Sequence, residues 1–164
     1  TEVDADCARL TVGIDLSRGL LDAAVDRAYD RGFADTAAFI HGDAARLPIA
    51  TASVDLATYV ATLHHLSPRA TRVASLSELA RVLRPDGAAL VSVWSTAHDR
   101  FDRETGFDTT VDWTLPGGAT VPRYYHIYDP DEFAADLAAS DLVVGDVTVS
   151  SGNCYAVVHG RPKE

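Results

Sequence analysis

The sequence contains few cysteines, a single lysine and no long hydrophobic run. Its two cysteines, Cys7 and Cys154, are too few for a disulfide framework and lack Cys-x-x-Cys spacing. This usage favours a reducing, cytoplasmic environment. No apolar run reaches the ~18 residues of a membrane-spanning helix, so we expect no transmembrane segment. The first residues lack the basic and apolar regions of a signal peptide, so we expect no secretion signal.

The charged residues are unusual in kind as well as in number. The net charge is -10, and Lys163 is the only lysine, so nearly all bases are arginine. Many acids on an ordinary globular chain favour a halophilic protein, whose acidic surface preserves solubility in a very salty cytosol; an ordinary acidic enzyme is the alternative. At molar salt the Debye length is about 3 Å, so this charge does not exclude a nucleic-acid substrate.

Short apolar runs alternate with helical patterns over the first part of the chain. The run Leu10–Ile14 predicts a buried strand that ends at Asp15. Ser17 is a candidate N-cap for a helix over 17–31, and Gly32 a candidate stop. Further strands are predicted at 37–41, 54–60 and 88–94, with a helix from Pro68 to about Leu83 and a turn at 84–87. This alternation predicts an α/β fold with a mostly parallel sheet.

The last part of the chain changes character. Residues 95–128 lack clear periodicity, and a connection of this length is usually functional or mobile. Asp129 is a candidate N-cap for a helix over 130–140, and the segments 142–150 and 154–159 predict a C-terminal antiparallel hairpin. The length of 164 residues suits one domain, 1–164.

Two aspartates follow neighbouring predicted strands. Asp15 ends the first strand, and Asp43 follows Gly42 at the end of the second. Ligands of open α/β sheets bind at the carboxyl ends of strands. The carboxylate of Asp15 can accept hydrogen bonds from both ribose hydroxyls, and Asp43 can accept one from an exocyclic amine such as that of adenine. Each could instead be an ordinary turn or cap acid.

Two polar clusters follow the aspartates. His64 and His65 leave the third strand, where packing, ligand hydrogen bonding or proton transfer are all open, and no metal site is expected. In Arg123-Tyr-Tyr-His126, the arginine could hold a carboxylate or phosphate, and the tyrosines could stack on a base. The alternative is that this run simply covers the rim of the sheet.

Several of these segments together resemble a known family. The chain over 9–94 resembles the class I S-adenosylmethionine-dependent methyltransferases, which have a Rossmann-like fold. The segments that carry this resemblance are Gly13-Ile-Asp-Leu-Ser17, His41-Gly-Asp43, Leu47-Pro48, Ser53-Val-Asp55, Ala61-Thr-Leu-His-His-Leu66 and Arg81-Val-Leu-Arg-Pro-Asp-Gly87. The double histidine with Arg123-Tyr-Tyr-His-Ile-Tyr128 is similar to the wobble-uridine tRNA methyltransferases, which methylate a carboxymethyl group on uridine 34 and work with a small zinc-ribbon activator protein.

The resemblance implies roles for individual residues. The core 9–94 would bind S-adenosylmethionine, 95–128 would be a substrate-side insertion, and 129–164 would form a C-terminal helix and hairpin. The implied cofactor-binding residues are Asp15, Leu16, Gly42, Asp43, Ala44, Val60 and Ala61. The implied substrate-placing residues are His64, His65, Arg123, Tyr124 and His126. A carboxylate nucleophile needs little base assistance, so Arg123 is expected to hold the acid group of the uridine.

The family pattern also predicts parts at and beyond the beginning of the chain. A first strand and a glycine-rich loop should precede Asp15 by about twenty residues, but only 14 residues precede it. We expect this strand and loop to lie ahead of Thr1; a truncated, non-catalytic scaffold is the alternative. The apolar edge strand Ala37, Ala38, Phe39 and Ile40 is the expected docking site of the activator, unless a local loop covers it. A methyltransferase for a small molecule such as a quinone precursor is the competing functional hypothesis.

Overall fold

The computed structural model describes residues 10–114 and 118–162. Those up to Pro48 and those from Ile49 onward form two compact units. The strands are β1 Thr11–Asp15, β2 Ala37–His41, β3 Val54–Val60, β4 Leu83–Trp94, β5 Phe107–Thr114, β6 Thr120–Ile127, β7 Val143–Ser150 and β8 Asn153–His159. The helices are α1 Arg18–Asp30, α2 Arg69–Val82 and α3 Pro130–Ala138, with short 3₁₀ turns at Ala34–Thr36 and Leu63–His65.

The first unit is a parallel β–α–β arrangement. β1 pairs with β2 in a register that places Asp15 beside His41. The connecting helix begins where the sequence predicts, because the Ser17 hydroxyl accepts a hydrogen bond from the Leu20 N–H at 3.3 Å. It ends before Gly32, whose φ of +75° suits glycine at a helix terminus. Both strands therefore end at the same edge of the sheet.

The second unit contains a four-stranded sheet in the order β3-β4-β8-β7. β3 and β4 are parallel, while β8 runs antiparallel to both β4 and β7. The β7–β8 turn has two residues, Ser151 and Gly152, both at positive φ, as a tight right-twisted hairpin requires. The α/β architecture and the C-terminal antiparallel hairpin are thus confirmed.

The core of the second unit lies on one face of this sheet. Alternate residues of β4 and β8 are buried there together with the inner sides of α2 and α3. Apolar side chains repeat every 2 residues in a strand and every 3.6 in a helix, so each element has one apolar face whose burial is favourable. These buried side chains are Leu76, Leu79, Ala89, Val91, Val93, Phe133, Leu137, Cys154, Ala156 and Val158. Among the helices of the described ranges, none is long and apolar enough to cross a membrane.

Residues 95–128 depart from the prediction. The sequence shows no clear periodicity there and predicts a long connection, but β5 and β6 form an antiparallel pair with Phe107 opposite Ile127 and Thr114 opposite Thr120. The prediction is wrong for these two strands because most β5 side chains are exposed or half-buried, so hydrophobic alternation is weak there. The pair is joined to the end of β4, since Tyr128 N–H donates to the Trp94 carbonyl at 3.1 Å.

The predicted turn at 84–87 lies inside β4. Val54 pairs with Leu83 and Leu56 pairs with Ala88, so the four residues 84–87 stand opposite Asp55 alone. The chain therefore bulges there before the ladder resumes. Gly87 fits this bulge because a Cβ at that position would lie 2.7 Å from the Val54 carbonyl oxygen. The predicted interruption at 84–87 is present, but β4 begins at Leu83 and not at residue 88.

Candidate active site

Asp15 lies at the carboxyl end of β1 with one carboxylate oxygen already engaged. Its Oδ1 atom accepts a hydrogen bond from the Ser17 N–H at 2.7 Å, which fixes the side chain at the start of α1. No group in the described part of the chain donates to Oδ2. Leu16, the next residue, is exposed, and its carbonyl oxygen lies 2.9 Å from Nε2 of His41. This half-buried carboxylate can accept hydrogen bonds from a ligand at the sheet edge.

Asp43 lies at the same end of the sheet as Asp15. The Gly42 N–H donates to the Asp15 carbonyl at 3.1 Å, which holds the end of β2 beside the end of β1. Oδ1 of Asp43 accepts from the Ala45 N–H at 2.8 Å, and Oδ2 has no donor among the described residues. A Cβ on Gly42 would lie 2.8 Å from Cδ of Pro48, so packing against that ring requires glycine here. Ala44 follows directly in the same turn.

The end of β3 carries a strained residue. Val60 is exposed, and Ala61 has φ +54°, which non-glycine residues rarely adopt. The Ala61 N–H donates to the Ser92 carbonyl at 3.1 Å, so β4 holds this conformation in place. Backbone strain of this kind occurs at ligand sites, and here it falls on Ala61, one of the residues expected to line the cofactor.

His64 is a buried, neutral histidine. Only 1% of its surface is exposed, and its Nδ1 atom accepts a hydrogen bond from the Trp94 N–H at 3.2 Å. Burial, followed by the charges of His65 and His126, lowers its pKa from 6.5 to about 3. At neutral pH it therefore carries no charge, and its hydrogen bond joins the turn after β3 to the end of β4.

An aromatic cluster surrounds the double histidine. The Tyr125 ring stacks on Trp94, with centroids 4.9 Å apart and planes 20° apart. The His65 ring meets Tyr125 edge-on at 4.4 Å, and its Nδ1 atom donates to the Tyr124 carbonyl at 3.1 Å. Offset and edge-on ring contacts of this kind stabilise the arrangement beyond burial alone. Trp94 was not singled out from the sequence, although its position at the end of a strand could have indicated it.

Strand alternation separates the members of the Arg123-Tyr-Tyr-His126 motif. Successive side chains of β6 point to opposite faces, so Arg123 shares a face with Tyr125 while Tyr124 shares the other with His126. The Arg123 guanidinium carbon lies 4.5 Å from the centroid of Trp113, a cation–π contact. The structure therefore brings Arg123 to the same side as the aromatic cluster and directs Tyr124 and His126 elsewhere.

Tyr124 and His126 both bind Asp108 of β5. The Tyr124 hydroxyl donates to Oδ1 of Asp108 at 2.7 Å, and Nδ1 of His126 lies 2.7 Å from the same atom. The hydrogen bond from His126, and then that from Tyr124, lower the pKa of Asp108. Nε2 of His126 lies 2.9 Å from Oε2 of Glu132 on α3. Neither Asp108 nor Glu132 stands at a spacing from His126 that would indicate this contact in the sequence.

A buried ion network holds α3, and with it Glu132, in place. The carboxylate of Asp136 is fully buried and accepts from Nε of Arg69 at 2.6 Å and from the Tyr128 hydroxyl at 2.9 Å. Arg72 of α2 donates to Oε1 of Glu132 at 3.2 Å. Removing one member would leave a buried charge uncompensated, which is strongly destabilising. The network fixes the distance between α2, α3 and the β5–β6 pair.

A family model described as a methyltransferase domain matches residues 2–91. This match spans more than half of the chain. The chain belongs to the methyltransferase domain family. The α/β class, the enzyme class and S-adenosylmethionine as cofactor are thereby confirmed.

Curated relatives give the same family with different substrates. An inferred methyltransferase of Encephalitozoon cuniculi is 34% identical over 153 residues, which cover 90% of this chain and 69% of that protein. A tRNA (carboxymethyluridine(34)-5-O)-methyltransferase of Macaca fascicularis is 37% identical over 84 residues, 51% of this chain and 11% of that protein. A demethylmenaquinone methyltransferase of Beutenbergia cavernae is 48% identical over 59 residues, 36% of this chain and 23% of that protein. The chain thus spans only a small part of the tRNA enzyme.

Solved structures support the fold. A protein of Methanosarcina mazei, described as an S-adenosylmethionine-dependent methyltransferase, superposes with a TM-score of 0.70 at 17% identity, over 93% of this chain and 82% of that one. At this identity the superposition establishes the fold and leaves the substrate open. The roles of the individual site residues of this methyltransferase domain stay predictions.

Proposed function

We propose that this methyltransferase domain methylates a carboxymethyl-type wobble uridine of tRNA. The observation that carries the proposal is the 37% identity over 84 residues to a carboxymethyluridine tRNA methyltransferase. The geometry of the second unit agrees with it. Trp94 and His65 are half-buried around the buried Tyr125 ring and can contact a flat base, and Arg123 lies on the same side of β6 as Tyr125.

The residues of the first unit fit the adenosine part of the cofactor. Asp15 and Asp43 lie at the ends of paired strands, and each has an Oδ2 atom with no donor in the described part of the chain. Asp15 would accept from the ribose hydroxyls and Asp43 from the adenine amine. Val60 and the strained Ala61, which belong to the second unit, stay cofactor residues that only the family resemblance implies. When bound, S-adenosylmethionine supplies an electrophilic methyl group.

Arg123 would place the substrate. Its planar guanidinium can hold one carboxylate oxygen of the carboxymethyl group through a charge-assisted hydrogen bond and leave the other oxygen facing the methyl donor. A carboxylate carries no proton to remove, so no general base is needed, and alignment supplies most of the rate. This agrees with His64, which is buried and whose pKa is lowered to about 3.

Methyl transfer to RNA tests the proposal. The full-length protein is incubated with radiolabelled S-adenosylmethionine and tRNA whose wobble uridines end in a free carboxymethyl group. We expect label in the RNA as a methyl ester, recognised by its release in mild alkali. The same tRNA without the carboxymethyl group is the matched control. Label in both tRNAs, or in neither, would contradict the proposal.

A quinone-type substrate is the second candidate. The 48% identity over 59 residues to a demethylmenaquinone methyltransferase favours it. Lipid extracts that contain demethylated quinone are therefore added in a parallel reaction. Label in the lipid fraction and none in tRNA would favour this candidate over the first.

We also propose that β2 docks a small zinc-ribbon activator protein in the cytoplasm. Ala37, Ala38, Phe39 and Ile40 are half-buried, and among the described strands β2 pairs only with β1. An apolar strand with one unpaired edge can accept a strand from a partner. The Phe39 ring lies over Gly13, where a Cβ would stand 2.9 Å from it, so the ring also packs against β1.

A further inference from the structure

One face of the β5–β6 pair carries no acidic residue, although acids outnumber bases 24 to 14 in the chain. Side chains alternate between faces along a strand, so the odd-numbered positions of β5 and β6 share this face. They are Phe107, Thr109, Val111, Trp113, Val121, Arg123, Tyr125 and Ile127. The opposite face carries Asp108 and Asp112. We call the first of these the acid-free face.

Two arginines lie against aromatic rings of the acid-free face. The guanidinium carbon of Arg103 lies 4.5 Å from the Phe107 centroid, and that of Arg123 lies 4.5 Å from the Trp113 centroid. Phe107 and Trp113 are six positions apart on one strand, which separates the two contacts by about 20 Å. Tyr125, opposite Thr109, lies between them in register.

Neither arginine is neutralised within the described residues. Arg69, Arg72, Arg81, Arg84 and Arg161 all form ion pairs with carboxylates. In the same described ranges no carboxylate pairs with Arg103 or Arg123. A guanidinium that stacks on a ring keeps its in-plane N–H groups available for a phosphate or carboxylate. Trp113 is 46% exposed, so part of its ring is also open to a ligand.

We propose that the acid-free face binds the unpaired nucleotides next to the modified uridine, with Arg103 on a backbone phosphate and Trp113 stacked with a base. The proposal rests on the proposed function, in which Arg123 holds the carboxymethyl group. Cationic side chains that alternate with exposed rings are the usual surface for single-stranded nucleic acid, because phosphates need charge and bases need a flat apolar partner. If this face instead binds a protein partner, Arg103→Gln should not change the salt dependence of RNA binding that is described below.

Binding of an unmodified anticodon stem-loop tests this proposal separately from methylation. The full-length protein is titrated into the fluorescein-labelled stem-loop at several salt concentrations, and anisotropy gives Kd. We expect Arg103→Gln to raise Kd about tenfold and to reduce the slope of log K against log salt by about 0.7, the share of one phosphate on a single strand. Trp113→Leu should raise Kd about tenfold with the slope unchanged, because stacking carries no counterion release.

Two further variants keep the experiment decisive. Arg84→Gln removes the same charge at the start of β4, at the other end of that strand from Trp94, and should leave Kd within about twofold of wild type. Arg103→Lys keeps the charge and should keep the wild-type slope, and a slope reduced as much as in Arg103→Gln would overturn the assignment of a phosphate contact to this charge. Equal Kd for wild type and Arg103→Gln, or equal losses in Arg103→Gln and Arg84→Gln, would overturn the proposal.

The outcomes separate this proposal from the proposed function. If the stem-loop binds through Arg103 but no methyl group enters carboxymethylated tRNA, the RNA surface stands and the substrate assignment is wrong. If tRNA is methylated and Arg103→Gln binds as wild type does, the substrate assignment stands and the RNA surface is wrong. Failure of the wild type to bind either RNA would overturn both.

Discussion

The main-chain N–H of Trp94 donates a 3.2 Å hydrogen bond to Nδ1 of His64. An imidazole nitrogen that accepts must be unprotonated, so this contact fixes His64 in its neutral form with the proton on Nε2. It also joins the turn after β3 to the end of β4, where the His64 ring contacts Tyr125 with centroids 5.0 Å apart. In the double histidine, His64 therefore supports the backbone through its hydrogen bond, while the His65 ring packs against Tyr125 in the aromatic cluster.

Acid should destabilise the protein through His64. Its folded-state pKa of about 3 is below its ordinary value of 6.5, so the unfolded chain takes up the proton first. The free energy of unfolding should fall from pH 6.5 toward pH 3, by at most about 1.4 kcal/mol per pH unit from this group. Urea unfolding of His64→Gln at several pH values should show a shallower dependence than wild type. His98→Gln, at an exposed position, should keep the wild-type dependence.

Asp108 should stabilise the β5–β6 pair above its own titration range. Its pKa is lowered from 3.8 by the hydrogen bonds of His126 and Tyr124, so its contribution is complete above pH 3.8 and is lost as the pH falls through the folded-state value. Asp108→Asn should lower the free energy of unfolding by about 1 kcal/mol at pH 7, a modest amount because the side chain is largely exposed. Its deficit should vanish in acid.

Asp112→Asn is the matched control for Asp108→Asn. It removes the same charge from the same face of β5, where no partner is found within the described residues. A double-mutant cycle between Asp108→Asn and His126→Asn then isolates the pair. A coupling energy of zero would show that the contact in the structure contributes nothing to stability.

Asp15 should determine cofactor affinity. Asp15→Asn retains an oxygen for the Ser17 N–H but loses the charge that favours ribose hydroxyls. Calorimetric titration with S-adenosylmethionine should show an increase in Kd of about 10- to 100-fold, while the melting temperature without cofactor changes little. Asp26→Asn, on an exposed position of α1, should bind as wild type does. Equal affinities for all three proteins would refute the assignment of Asp15.

Phe39→Asp should abolish co-purification with a zinc-ribbon activator. The new charge lies in the middle of β2, where a strand added at the free edge would bury it. Tyr29→Asp is the control, because it makes the same aromatic-to-acid change on an exposed residue of the same unit. Circular dichroism must show that Phe39→Asp is folded, since the ring also packs against Gly13. Unchanged recovery of the activator would rule out docking at this edge.

The elements of the first unit and β3 of the second unit could be predicted because their signals are local. Ser17 caps α1 and Gly32 ends it, and the bounds of β2 and β3 match the apolar runs at 37–41 and 54–60. The β5–β6 pair could not be predicted, because every β5 side chain is exposed or half-buried and the hydrophobic alternation of β5 is weak. The substrate-side interpretation of 95–128 and the single-domain interpretation of the chain stay predictions.

The sequence by itself determined the strands and helices of this methyltransferase domain other than β5 and β6, the acids at the ends of β1 and β2, and the residue types of the Arg123-Tyr-Tyr-His126 motif. Capping and periodicity act over a few residues, so they can be read along the chain. Only the tertiary structure decided which members of that motif share a face and that Asp108 and Glu132 meet His126. Those relationships depend on the register of β5 with β6 and on the packing of α3, which join residues far apart in sequence.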